Sequence, residues 1–139
     1  MRKILVLAAA FMSIASAVNA QCDSKTKFTA SKADFIKSGG DTETRQQTVV
    51  LTADKQNVDV IIDGGQDELK GDVTDYVCNF TDANNGTMSF KSEVTDKSGD
   101  IRHASFTIET KDGKTTILVE AKEEDTRIRL SVDSSETVK

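Results

Sequence analysis

His103 is the first residue to weigh for chemistry, because it is the only histidine in the chain. A serine nucleophile needs a histidine base within hydrogen-bond reach and an acid that orients the base. Ser105, with Asp96 or Asp100, supplies those residue types nearby. The sequence lacks the Gly-x-Ser-x-Gly turn that exposes such a serine, and the alternation of apolar residues around His103 points its side chain away from the core. We therefore expect a surface histidine, no catalytic residues and no enzymatic activity.

Acidic side chains are the second group of candidates, since 23 Asp and Glu stand against 18 Lys and Arg. Asp82, Asn84 and Glu93 occupy the first, third and twelfth positions of an EF-hand-like spacing. Gly86, however, falls at the fifth position rather than the sixth, and no helical pattern flanks the segment. Two isolated cysteines also lack the further ligands that zinc takes. We expect neither a metal site nor a cofactor.

The elements that would position any site begin after a predicted signal peptide. Arg2 and Lys3 precede an uncharged apolar run over residues 4–17, and small residues at positions 18 and 20 place the cut between Ala20 and Gln21. The run is shorter than the roughly 20 residues of a membrane span. We expect residues 1–20 to be the signal peptide, residues 21–139 to form a single β domain, and the protein to be exported, periplasmic or secreted, with no membrane span.

The two cysteines, Cys22 and Cys78, both belong to the mature chain. Export takes them to a compartment in which disulfides form and persist, so we predict that they pair. The bond would close a loop of about 55 residues and stabilise the fold by about 4 kcal/mol in the chain-entropy model. Lipidation of Cys22 is the alternative, but Gln21 stands where a lipoprotein cut needs a small residue.

The charge balance bears on partners. Removal of the two basic charges of the leader takes the net charge from −5 to −7, and no basic run reverses this locally. Such a chain repels nucleic acid and anionic lipid. We expect no nucleic-acid partner.

Period-two alternation of apolar and polar residues runs from Thr48 onward, with turn residues every 8 to 12 positions, which predicts seven successive strands. Asn84-Asn85-Gly86, Ser98-Gly99-Asp100 and Asp112-Gly113 are predicted to form tight hairpin turns, because these residues tolerate a positive φ. An eighth is expected around residues 27–30, followed by an irregular stretch, 31–41, whose Phe35 and Ile36 would plug one end of the core.

The prediction is an all-β antiparallel meander of seven to eight strands, with an up-and-down barrel favoured and a two-sheet sandwich as the alternative. Charged alternate positions such as Lys91 and Glu109 exclude a membrane barrel. The inward positions of the seven strands include Val49, Leu51, Ala53, Val58, Val60, Ile62, Tyr76, Cys78, Phe80, Met88, Phe90, Val94, Ala104, Phe106, Ile108, Ile117, Val119, Ala121, Ile128, Leu130 and Val132.

Short segments along the mature chain carry a resemblance to small uncharacterised secreted β-proteins of Gram-negative bacteria. They are the mature start Gln21-Cys22-Asp23, Thr29-Ala30-Ser31-Lys32 soon after it, the mid-chain Cys78-Asn79-Phe80, and the closing run 104–108 followed by 111–114. This resemblance implies export and β structure and carries no activity with it. In outline the meander is also similar to lipocalin-like barrels.

Two functions of different kinds fit this architecture. The first is a non-enzymatic binding module that holds a small apolar or amphipathic ligand inside the barrel, where small inward residues leave room; a solid barrel, with these residues as ordinary core, is the competing interpretation. The second is a protein-interaction or inhibitor domain that acts on a basic partner through the acidic loops, residues 63–68 and 120–125. The residues expected to line a ligand are Tyr76, Phe80, Phe90 and Phe106.

Overall fold

Eight antiparallel strands form a closed barrel in the computed structural model, which describes residues 22–138. The predicted signal peptide, residues 1–20, lies outside the described residues. Among residues 22–138, no helix has the length and apolar character that a membrane-spanning helix requires. The strands are β1 (Lys25–Ile36), β2 (Thr42–Ala53), β3 (Asn57–Ile62), β4 (Asp67–Asp82), β5 (Asn85–Thr95), β6 (Ile101–Lys111), β7 (Lys114–Ala121) and β8 (Arg127–Val138), with a 3₁₀ turn at Asp63–Gly65.

Each strand pairs with the next along the chain, and β8 pairs with β1 to close the barrel. The seam between β1 and β8 runs from Lys25 opposite Val138 to Ile36 opposite Arg127. Full closure removes the open edges that a sandwich would have. The all-β meander and the up-and-down barrel predicted from the alternation are confirmed, and the two-sheet sandwich is not formed.

Two bulges reverse the alternation within long strands. In β1 the pairing shifts between Ala30 and Lys32, so that Ala30 and Ala33 both face the interior. In β4 it shifts between Thr74 and Val77, next to Asp75, whose φ is 51°. A bulge inserts one residue and sharpens the local bend, which helps a sheet of this size to close.

The first hairpin differs from the expectation of an irregular stretch over residues 31–41. β1 continues to Ile36, and only residues 37–41 connect it to β2. Phe35 packs against the core as predicted, opposite Ile128 of β8. Ile36, which was also expected to plug the core, instead lies in an outer groove beside Leu118. The bulge at Ala30 hid this strand, because it interrupts the period-two pattern.

Aromatic side chains fill the middle of the barrel. The ring of Phe90 stacks on that of Phe106, with centroids 4.9 Å apart, and Tyr76 follows at 6.4 Å from Phe90. Phe90 and Phe106 are each 2% exposed, and such pairs add about 1 kcal/mol beyond area burial. The remaining space in the barrel therefore lies towards its two ends.

Candidate functional site

The disulfide end of the barrel holds Cys22 and the turns at residues 54–56, 83–84 and 112–113. Cys22 and Cys78 form the predicted disulfide, with Cα atoms 5.8 Å apart. The Tyr76 hydroxyl donates a hydrogen bond to the carbonyl of Cys22, at 3.1 Å. Together these bonds hold the start of the described chain against β4.

A pocket of about 220 Å³ opens at the disulfide end. Phe28, Phe80, Ala83 and Met88 form its apolar part, and most of the other lining residues carry hydroxyl, amide or carboxylate groups. Two of these hydroxyls, on Thr110 and Thr115, lie 2.8 Å apart and bond to each other. Polar walls of this kind keep water, so the pocket gives an apolar ligand little advantage.

The arginine end is the opposite one, formed by residues 37–41, 63–66, 96–100 and 122–126. A cavity of about 100 Å³ lies inside it. Only Gln47, Arg102 and Glu124 contribute polar side chains to its lining, so the cavity favours apolar groups. The apolar lining consists of Val49, Leu51, Val60, Ile62, Leu69, Val94, Ala104, Phe106, Val119, Ala121, Ile128 and Leu130.

Arg102 stands at the mouth of this cavity. It precedes Ala104 and Phe106 on the inward face of β6, and its side chain is 41% exposed. Its Nε lies 3.6 Å from Glu124 Oε1, and its Nη2 lies 4.0 Å from Asp96 Oδ2. Charge-assisted hydrogen bonds are about 2.7–2.9 Å long, so these carboxylates approach the guanidinium without holding it tightly.

The loops around the mouth are tied to one another. Asp96 Oδ1 accepts hydrogen bonds from the backbone N–H groups of Ser98 and Asp100, at 2.9 and 3.0 Å, which fixes the β5–β6 loop. The ammonium group of Lys97 in the same loop contacts the carbonyl of Gly65. These contacts hold the β5–β6 loop next to the 3₁₀ turn and define the shape of the mouth.

His103 lies on the outward face of β6, as expected, and joins two glutamates. Its Nδ1 is 2.5 Å from Glu123 Oε1 and its Nε2 is 3.0 Å from Glu93 Oε1. The backbone N–H of His103 also donates to the Glu123 carboxylate. The hydrogen bond with Glu123, then that with Glu93, raises the pKa of His103, while the bond from His103 lowers the pKa of Glu123. Because both ring nitrogens contact glutamates, the geometry does not pair His103 with Ser105.

A second carboxylate pair lies on the outer wall, on β3 and β4. Burial, then the neighbouring Glu68, raises the pKa of Asp59. Asp59 Oδ1 is buried with no hydrogen-bond partner among the described residues, and Lys70 lies 3.8 Å from Glu68. Asp59 and Lys70 line an open groove, and neither lines the apolar cavity or the pocket at the disulfide end.

The residues of the EF-hand-like spacing are not brought together. Asp82 Oδ1 accepts a hydrogen bond from the backbone N–H of Asn84, at 2.8 Å, within the β4–β5 turn. Glu93 lies on β5 opposite Asp72, which is ten residues before Asp82 on β4. The carboxylate of Glu93 contacts His103 instead. Between residues 22 and 138, no three His, Cys, Asp or Glu side chains are grouped so as to hold a metal ion.

The four aromatic residues predicted to line a ligand fall in different places. All four belong to the core or pack against it. Phe106 lines the apolar cavity, and Phe80 lines the polar pocket at the disulfide end. Tyr76 and Phe90 form the stack between them.

The two acidic loops both lie at the arginine end, and part of their charge is engaged within the molecule. Asp63 accepts a hydrogen bond from the backbone N–H of Thr48, and Glu123 and Glu124 contact His103 and Arg102. Arg102 was not among the residues predicted to line a ligand, although its position two residues before Ala104 indicates that it faces inward.

The chain was also compared with known proteins. No family model, curated protein or solved structure matches it.

Proposed function

We propose that the protein is an exported, non-enzymatic binding module that holds the apolar part of a small ligand in the cavity at the arginine end. One observation carries this proposal: a cavity of about 100 Å³ has twelve apolar residues in its lining and only three polar ones, all near its mouth. A site that is apolar in depth and polar at the rim orients an amphipathic molecule. The disulfide supports export, because such bonds persist in oxidising compartments.

The size of the cavity limits the ligand. Pockets for drug-sized molecules have volumes of about 300–1,000 Å³, whereas an engineered apolar cavity of about 150 Å³ takes up benzene. The cavity of about 100 Å³ therefore accepts a group smaller than a benzene ring, such as a chain of about three or four carbons. A larger molecule would have its remaining atoms outside the mouth.

Native mass spectrometry of the protein, purified gently from the exported fraction of its own host, is the direct test. We expect a discrete added mass that is lost on denaturation. The bare mass, together with no thermal stabilisation by small apolar compounds, would contradict the proposal and favour a protein-interaction role for the acidic loops.

A cavity-filling variant locates the site. Ala104→Val adds two methyl groups to a residue in the cavity lining, and we expect it to abolish the added mass while the barrel stays folded. Ser105→Val adds similar bulk to the next position of β6, which faces the outer groove, and should leave binding intact. If both variants keep the ligand, it does not bind in this cavity.

A further inference from the structure

Arg102 gives the mouth of the cavity a feature that a purely apolar ligand would not use. Its position on the inward face of β6 places Arg102 in the cavity lining. The two facing carboxylates, at 3.6 and 4.0 Å, are too distant for charge-assisted hydrogen bonds. A guanidinium carries five N–H donors in a fork that matches a carboxylate. The donors of Arg102 therefore have capacity for one more acceptor.

Arg45 is a second arginine at the same end and shows the contrast. Its Nε and Nη2 donate to Glu43, at 3.3 and 3.1 Å. Its guanidinium lies over the Phe35 ring, 4.2 Å from the centroid. Arg45 is thus paired and stacked, and it is absent from the cavity lining. Of these two arginines, only Arg102 combines a place at the cavity with loosely held partners.

Glu124 indicates the kind of group that Arg102 takes. It contributes to the cavity lining, faces Arg102 from the β7–β8 loop, and has a side chain 46% exposed. Exposed ion pairs contribute little to stability, so a carboxylate that enters the mouth can replace Glu124 at small cost. When the alkyl chain of the entering carboxylate fills the cavity, apolar area is buried in addition. The Glu124 side chain does not supply this burial.

We propose that the ligand of this cavity is a short-chain carboxylate whose acid group binds Arg102 in place of Glu124 while its alkyl chain fills the apolar interior. This inference rests on the proposed function, since it names the ligand class of the same cavity. Arg102 selects the anionic ligand, and the carboxylate of Glu124 competes with that ligand for the guanidinium group.

Titration with pentanoate and with 1-pentanol, followed by the NMR shifts of the cavity methyl groups of Leu51, Val94 and Leu130, tests the inference. At neutral pH and low salt, pentanoate is expected to bind at least about tenfold more tightly than pentanol, as a charge-assisted contact allows. Arg102→Gln should remove this preference because it weakens pentanoate binding more than pentanol binding, and Arg102→Lys should restore part of it. Arg45→Gln is the matched control and should retain the full preference.

Glu124→Gln provides an independent check that does not alter the arginine. Removal of the competing carboxylate should raise pentanoate affinity more than pentanol affinity and so widen the preference. Equal binding of pentanoate and pentanol to the wild type would overturn the carboxylate inference while supporting the apolar cavity. No shift of the cavity methyl groups with either compound would overturn the proposed function as well. A preference that survives Arg102→Gln would also refute the assignment.

Discussion

Ser92→Ala is expected to stabilise the protein. Ser92 faces the interior on β5 and is 4% exposed, and its Oγ has no hydrogen-bond partner among the described residues. The backbone of β4 packs closely over it, since a Cβ added at Gly71 would lie 2.3 Å from this oxygen. This close packing leaves no room for a water molecule on that side.

The size of the stabilisation follows from the lack of a hydrogen-bond partner for the buried Ser92 hydroxyl. Burial of an unpaired hydroxyl destabilises a fold by about 1–3 kcal/mol, and alanine removes that term while it keeps the Cβ. Loss of the oxygen atom leaves a small space, which offsets part of the gain. We expect a net increase of about 1 kcal/mol in the free energy of unfolding, or a rise of about 4 °C in Tm for a domain of this size.

Urea unfolding, followed by circular dichroism, measures this change, and Ser131→Ala is the control. Ser131 is an exposed serine in β8, so its substitution should change the free energy of unfolding by less than about 0.5 kcal/mol. If Ser92→Ala is no more stable than the wild type, the hydroxyl has a partner, and the reasoning from an unpaired buried oxygen is refuted.

Two further predictions concern the disulfide and His103. Cys22→Ser with Cys78→Ser opens a loop with a sequence separation of 56 and should lower the free energy of unfolding by about 4 kcal/mol; an unchanged thermal midpoint would contradict this. Because the pKa of His103 is raised, its stabilisation should be complete below about pH 6.5 and lost as pH rises through the higher folded value. The lowered pKa of Glu123 adds stability that is present above about pH 4.5 and lost as pH falls through the lower folded value. Thermal melts of the wild type and His103→Gln across pH check this, and equal pH profiles would show that the histidine contributes nothing.

The period-two pattern predicted most of the fold because every strand has one buried and one solvated face. The strand segments that the period-two pattern did not predict, in β1 and β4, contain bulges. In β4, for example, Leu69 and Val73 face the core at odd positions and Tyr76 at an even one, so no single alternation spans the strand. Bulge positions follow from barrel closure, a long-range constraint that local pattern does not record.

Glycine was interpreted correctly at one turn and incorrectly at another. Gly113, with φ of 80°, follows Asp112, with φ of 52°, in the predicted tight hairpin. Gly86 was taken as a turn residue, but it lies inside β5, where a Cβ would come within 2.3 Å of the Phe80 ring. Its role is close packing, which depends on the facing strand and is invisible in the local sequence.

The candidate site was less predictable than the fold. Inward residues near the centre follow from alternation, but the division of the aromatic residues between the two ends depends on the register between strands. The engagement of His103 by Glu93 and Glu123 depends on strand register and loop length. These quantities come from pairing between strands and are not set by the residues near His103.

The seam between β1 and β8 has a consequence for how the chain acquires its structure. Its two strands lie at opposite ends of the described chain, so the circle of hydrogen bonds is incomplete until β8 has been synthesised. Before that moment β1 and β7 are both open edges, which are sites of wrong pairing, and contacts this distant in sequence slow folding. A chain cut short before Arg127 should therefore aggregate rather than form a smaller barrel. Folding of the whole barrel thus depends on the final strand, β8.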